Sequence, residues 1–405
     1  MGLRVTVGPE GADFCGTTDL AIQGAIEYVA TRGGGTVEVG PGTYLLHNSV
    51  RLRSHVRLLG SGPETLLQKT PSVTVPLTED TDWYDNRVTV SDASAFRVGG
   101  GVLLDGKCPH SGVPQVTIHT ILAIEGNTLI LKAQARGGDH PAHVGNFWLG
   151  HEPTASTLYS MVTGNWVEDV EVAHLRVDGN RRQCAYLNGN YAGAVYFQDS
   201  AGVRLHDLQV GNIDGDGLSF QVAHDVTIER SLFHDATQGI HAGSGAQRPI
   251  IRENRIERIT SHGLVWCWGV RHGVAEGNAI EDCGSAISIG HRDTDNVMRG
   301  NAIRRCRTGL VYRNDPTHQA AHRNIVEDNL FEDIGDGESP GCAIDLAGPV
   351  ADNVIRRNRF RCTQPGLMQT GLRIGPTAGP VMVEGNVCEG VAVEVEDLRE
   401  ARETG

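Results

Sequence analysis

Between Gly215 and Arg307 the sequence repeats itself about every 23 residues. Gly217-Leu218-Ser219-Phe220-Gln221, Gly239-Ile240-His241-Ala242-Gly243, Gly263-Leu264-Val265-Trp266-Cys267 and Ala286-Ile287-Ser288-Ile289-Gly290 share one frame. Each opens on a small residue and then alternates apolar with variable positions, the period of a β-strand with one buried face. Asn254-Arg255-Ile256, Asn278-Ala279-Ile280, Asn301-Ala302-Ile303, Asn329-Leu330-Phe331 and Asn358-Arg359-Phe360 mark a second phase, an Asn once per repeat. Strand-bearing repeats of this length stack as a solenoid. A leucine-dense consensus and a helical return arm are missing, which argues against leucine-rich repeats. The expected fold is all-β, a right-handed parallel β-helix with the Asn column stacked inside one turn. Asn side chains one strand spacing apart, roughly 4.8 Å, can bond to one another and to turn backbone.

A chain of 405 residues with 39% hydrophobic content can bury one long core, and 52 glycines with 5% aromatic residues suit turn-dense strands. The formal charge of −14 argues against nucleic acid as a partner. Nine cysteines, an odd number without a CxxC pair, do not make a disulfide framework; Cys283 and Cys306 fall at equivalent places and read as stacked buried thiols. No apolar run is long enough to span a bilayer, so no membrane partner is expected. Met1-Gly2-Leu3-Arg4-Val5 does not read as a signal peptide. The compartment stays open: cytoplasmic, or secreted or periplasmic if a signal was removed.

Four segments follow. Residues 1–72 hold a helix from about Asp19 to Ala30, capped by Thr17 or Thr18, which is expected to cover the end of the core ahead of the first coils. In residues 73–150 the period is lost, and Arg87–Val90, Gly101–Leu104, Gln115–Ile118 and Leu129–Lys132 read as strands of a β-rich insertion with a hairpin turn at Glu125-Gly126-Asn127. Coils resume near Val167 in a segment taken as 151–393, and 394–405 reads as a charged, frayed tail.

The entry pattern Gly11-Ala12-Asp13, a short helix, Gly33-Gly34-Gly35-Thr36, Pro41-Gly42-Thr43-Tyr44 and Leu59-Gly60-Ser61-Gly62 resembles that of pectate-lyase-superfamily (pectin-lyase-like) β-helix proteins and phage tailspikes. The resemblance implies the fold and a polysaccharide or oligosaccharide partner, in a monomer or a homotrimer. It does not select an activity, because that superfamily includes lyases, hydrolases, epimerases and binders.

Chemistry is expected on the outward row, Ser219, His241, Val265, Ser288, Val311, Asp345 and Arg373, and in the turns that follow it. Asp216, His241, His291, Arg292 and Asp293 are the candidate catalytic residues. Gln221, Arg248, His262, Trp268, Arg271, His272, Arg313, Asp315 and Arg373 are the candidate substrate-binding residues. A lone turn His, or an Asp-Asn pair such as Asp295-Asn296, can equally be turn chemistry, and arginines in turns often only solvate a surface. The coincidence in register over four coils, a span of roughly 20 Å, is what points to a glycan groove.

Three chemistries remain open. Asp214-Gly215-Asp216-Gly217, Ser261-His262-Gly263 and Gly371-Leu372-Arg373-Ile374 are similar to motifs of polygalacturonase-like glycoside hydrolases, but Thr237-Gln238 and Gly375 stand where that family has its paired aspartates and its lysine. Inverting hydrolysis would then need Asp216 and Asp293 as acid and base. β-Elimination from a uronate needs a base, a neutralised carboxylate and a donor to the leaving oxygen. No lysine lies in these coils, so the base would be His241, His291, Tyr312 or an arginine, with Arg271, Arg292 or Arg313 on the carboxylate. C5 epimerisation starts from the same proton abstraction, and Asn314-Asp315-Pro316-Thr317-His318 is loosely similar to a motif of alginate epimerases. A non-catalytic glycan binder of tailspike type is the reading from another class. No cofactor is expected; a metal held by His241, His291 and nearby carboxylates, or calcium at Asp293 and Asp295, is the less favoured option.

Overall fold

The computed structural model describes residues 2–108, 111–132, 144–338 and 341–399. Short strands follow one another around a three-faced coil, and each pairs in parallel with its counterpart one repeat later. One face is a 13-stranded sheet. The other two faces form a single 20-stranded sheet, because the long strands Leu232–Ala242 and Arg255–Trp266 bend round the corner and belong to both. Among the described residues, nine strands of the 13-stranded sheet lie between Glu168 and Glu384, one per coil.

The inward residues are those the alternation predicts. Leu218, Ile240, Leu264, Ile287, Leu310, Ile344 and Leu372 share one register and are buried. The small residue that opens each strand has a steric reason: a Cβ on Gly239 would come within 2.4 Å of the Gly263 carbonyl and 2.8 Å of Ile256. Tyr312, one of the candidate bases, is a correction. It continues the inward parity, lies fully in the core, and burial raises its phenol well above the ordinary range.

The Asn column stacks as expected. Asn254, Asn278, Asn301, Asn329 and Asn358 each donate Nδ2 to Oδ1 of the next Asn, at 2.9–3.0 Å, ending on Asn386. Each Nδ2 also donates to a backbone carbonyl of the preceding coil. A second ladder, Asn296 to Asn324 to Asn353, runs along another corner. Cys283 and Cys306 are buried free thiols.

The helix Asp19–Ala30 packs Ile22, Ile26 and Val29 against the first coil, whose strands include Leu3–Gly8 and Gly35–Val39. Thr18 is its N-cap residue but makes no side-chain cap bond. The insertion is an antiparallel six-stranded sheet with its own core, and it extends from Thr74–Pro76 to Thr154–Ser156, six residues past the expected limit. Coiling resumes at Val162–Asn165, which pairs with Val50–Arg51 across the insertion, earlier than the expected Val167. At the far end Val393–Asp397 is a strand of the last coil, so the first residues of the predicted tail are ordered; residues 400–405 lie outside the described residues. Among the described residues no helix is long and apolar enough to cross a membrane.

Candidate functional site

The outward row runs Tyr196, Ser219, His241, Val265, Ser288, Val311, Asp345, Arg373 in continuous register. A second outward row, Asp216, Gln238, His262, Ser285, Thr308, precedes the small opening residue of each strand. The two rows meet at Asp216 and His241, with Oδ2 and Nδ1 2.8 Å apart. Both side chains are buried, and burial pushes the Asp216 carboxyl upward against the pull of His241. With Nδ1 engaged by the carboxylate, the imidazole presents Nε2. That atom has no hydrogen-bond partner among the described residues, nor do Asp216 Oδ1, Gln238 Oε1, His262 Nδ1 and Arg313 Nε. Buried polar atoms are nearly always paired, so this concentration in neighbouring rows is unusual.

Arg313 reaches back across two coils. It donates to Ser288 Oγ at 2.9 Å, to the Trp266 carbonyl at 2.7 Å and to Asp293 Oδ2 at 3.2 Å. Asp293 is fully buried and accepts from the backbone amides of Gly269, Val270 and Gly290 as well. Burial pushes its carboxyl up to about 7, opposed by Arg313 and these amides. Its oxygens are thus consumed in fixing a turn and an arginine. Burial, with Arg313 and His241 alongside, lowers His262 to about 4, so this imidazole is neutral near pH 7. Asp315 accepts from the His291 amide at 2.6 Å, its other oxygen lies 3.0 Å from His291 Nε2, and His291 stacks on Trp268. Burial lowers the His291 pKa and pushes the Cys267 thiol up to about 12.

The profile of the "right handed beta helix region" family matches residues 192–360, the part that carries these rows. The chain folds as a right-handed parallel β-helix. Solved structures bear out the fold of this β-helix. The surface adhesin PfbA of Streptococcus pneumoniae is 12% identical, with 96% of this chain and 92% of that one covered at a TM-score of 0.58. The A-module of the Azotobacter vinelandii mannuronan C-5 epimerase AlgE6 is 12% identical, covering 93% and 91% at 0.56. A structure described as a glycoside hydrolase is 12% identical, covering 96% and 97% at 0.53. A search of curated proteins finds none that this sequence matches.

The β-helix thus brings together Asp216, His241, His262, Asp293, Arg313, Asp315, His291 and Trp268. Other expected site residues lie elsewhere. Arg248 and His272 occupy a left-handed corner just before the 13-stranded sheet, where Arg248 is held by both oxygens of Asp225. Arg271 sits beside that corner, bridged in register to Gln247 and Thr294. Arg292 is exposed, in a left-handed conformation, and makes no side-chain ion pair among the described residues. Arg373 shares the row of His241 but lies five coils away, ion-paired to Glu396 and Asp345. Gln221 is turned to structure, its Nε2 toward the Gly189 carbonyl and its Oε1 accepting the Ser244 amide. Asp295 has both oxygens on Arg323, and Asp293 accepts from three backbone amides and from Arg313. Gln238 figured in the sequence only as standing in place of a family aspartate, and the strap of residues 184–194 that covers Asp216 was not anticipated. The register offered Gln238, opposite Asp216 by one repeat; nothing local in the sequence pointed to the strap.

Proposed function

We propose that the protein is a carbohydrate-active enzyme acting on a uronate-containing polysaccharide by proton abstraction and β-elimination. One observation carries this reading: Asp216 orients His241 through Nδ1 and leaves Nε2 buried without a hydrogen-bond partner among the described residues. His241 Nε2 takes the proton α to the sugar carboxylate, the electron pair forms the ring double bond, and the glycosidic C–O bond breaks. Arg313 supplies positive charge beside that position to stabilise the developing enolate. Neutral His262 is placed to donate a hydrogen bond to the departing oxygen, which takes its final proton from solvent or from the protonated His241. Trp268, 45% exposed with one face on His291, offers the other face to a neighbouring sugar.

The hydrolytic alternative built on Asp216 and Asp293 is weaker, because Asp293 accepts four hydrogen bonds and Asp216 is spent on His241. A panel of uronate polymers and neutral glycans tests the proposal by ultraviolet absorbance of the unsaturated product together with new reducing ends. Both signals on an acidic polymer support elimination. Reducing ends alone would shift the assignment to hydrolysis, inversion at C5 without cleavage to epimerisation, and binding without turnover to a glycan-binding module.

A further inference from the structure

On the first two coils after the insertion, histidine and carboxylate groups gather at a corner of the 13-stranded sheet. His174 and Asp207 each follow a strand of that sheet, Glu168–Ala173 and Ala201–His206, in the left-handed conformation that turns the corner, with φ of 56° and 53°. Parallel pairing sets His206 opposite the small Ala173, which stacks one turn on the other. The His206 ring then lies beside that of His174, with centroids 5.4 Å apart and planes at 88°. One nitrogen of each imidazole and one Asp207 oxygen all lie within 4.8 Å of one another. The strand Gln209–Gly211 separates this corner from Asp216–Gln221, so the cluster takes no part in the site described above.

His206 stands between two carboxylates. Its Nε2 lies 2.7 Å from Glu171 Oε1 and its Nδ1 lies 2.7 Å from Asp207 Oδ2. A neutral imidazole has one N–H and one lone pair, so with Nε2–H donated to Glu171 the Nδ1 lone pair would face a carboxylate oxygen. A positive centre at Nδ1, a proton or a metal ion, removes that conflict. A second imidazole is aimed at the same oxygen, His174 Nδ1 at 4.0 Å from Asp207 Oδ2. The geometry points to a zinc-class transition-metal site held by His174, His206 and Asp207, with Glu171 orienting His206 from its far nitrogen. Tetrahedral zinc with bonds of about 2.0–2.2 Å keeps its ligand atoms roughly 3.3 Å apart. The observed separations of 2.7 and 4.0 Å fall on either side of that distance. The His174 side chain is half exposed, which gives an ion a path from solvent and the imidazole room to swing inward. A carboxylate on the far nitrogen is the usual partner of a metal-binding histidine. Two imidazoles and one carboxylate suit zinc, cobalt or nickel, whereas calcium and magnesium take oxygen ligands. Arg230 donates Nε to Asp207 Oδ1 at 3.3 Å and Nη2 to Oδ2 at 3.1 Å, so Oδ2 can bind the ion while Oδ1 stays with the arginine. An ion held in this way ties two successive coils together.

The test uses the full chain without an affinity tag, treated with a chelator and then titrated calorimetrically with Zn2+ alone, with Ca2+ as the comparison and Co2+ absorption as a second readout. The expected result is saturable Zn2+ binding at one ion per chain, a raised melting temperature, and the Co2+ spectrum of a four-coordinate ion with nitrogen ligands. His174→Ala alters an exposed side chain and leaves the core packing alone. It should weaken Zn2+ binding by about 100-fold or more and abolish the rise in melting temperature, against about 10–100-fold weaker binding for Glu171→Gln. Zn2+ affinity unchanged in His174→Ala, a thiolate charge-transfer band with Co2+, or Ca2+ bound as tightly as Zn2+ would overturn the site. So would the absence of Zn2+ binding to the wild type, which leaves a proton between His206 and Asp207.

Discussion

Trp268 and His291 stack with ring centroids 4.6 Å apart and planes at 19°, across two successive coils. The indole is held from one side and open on the other, the arrangement of a platform for a sugar face. Trp268→Ala should weaken glycan binding by roughly 0.5–1.5 kcal/mol, raise KM, and leave the melting temperature almost unchanged because the side chain is half exposed. Isothermal titration beside a thermal melt checks both halves.

His241→Ala should lower turnover by about 100-fold or more, and Asp216→Asn should do nearly as much by misorienting the imidazole. Far-ultraviolet circular dichroism establishes that each variant is folded. If both retain wild-type kcat, the base lies elsewhere.

Arg313→Lys keeps the charge but loses the planar contacts to Ser288, Trp266 and Asp293. A loss of kcat/KM of about 100-fold is expected, mostly in kcat if the charge acts on the enolate. Asp293→Asn should destabilise the fold by about 1–3 kcal/mol, because an amide nitrogen would face backbone donors. Steady-state kinetics and urea unfolding separate the two effects.

His262 titrates at about 4 in the folded chain against about 6.5 when unfolded. A depressed histidine pKa means that the unfolded state takes the proton first, so stability falls as pH drops from about 6.5 to about 4 and levels off below. His262→Asn removes this component. Its unfolding free energy should therefore lose less than the wild type's over that window, by on the order of 3 kcal/mol, in urea titrations at several pH values.

Asn301 satisfies the Asn278 amide, the Asn278 side chain and the Ala275 carbonyl at 2.9–3.0 Å. Asn301→Leu strands all three in the core, at about 1–3 kcal/mol each. Because each coil is stabilised by its neighbours, the expected outcome is a loss of at least about 3 kcal/mol, or a biphasic transition in which the C-terminal coils unfold first. A single transition at the wild-type midpoint would contradict the ladder's role.

The repeat, the inward row from Leu218 to Leu372, the Asn column and the capping helix were all legible in the sequence. Each is a short-range pattern in which one residue's face follows from strand parity, and stacking at a constant period carries it from coil to coil. The same arithmetic placed His241 on the outward row and near Trp268, His291 and Arg313. It failed where a side chain's fate depends on what it meets in another coil. Arg248 and Arg313 are both turn arginines, yet one is spent on Asp225 and the other reaches Asp293 and His262, because a long side chain chooses among partners offered by several coils. Gly189 is one glycine among 52. Only the folded chain lays the Gly189 backbone on Asp216 and buries that carboxylate.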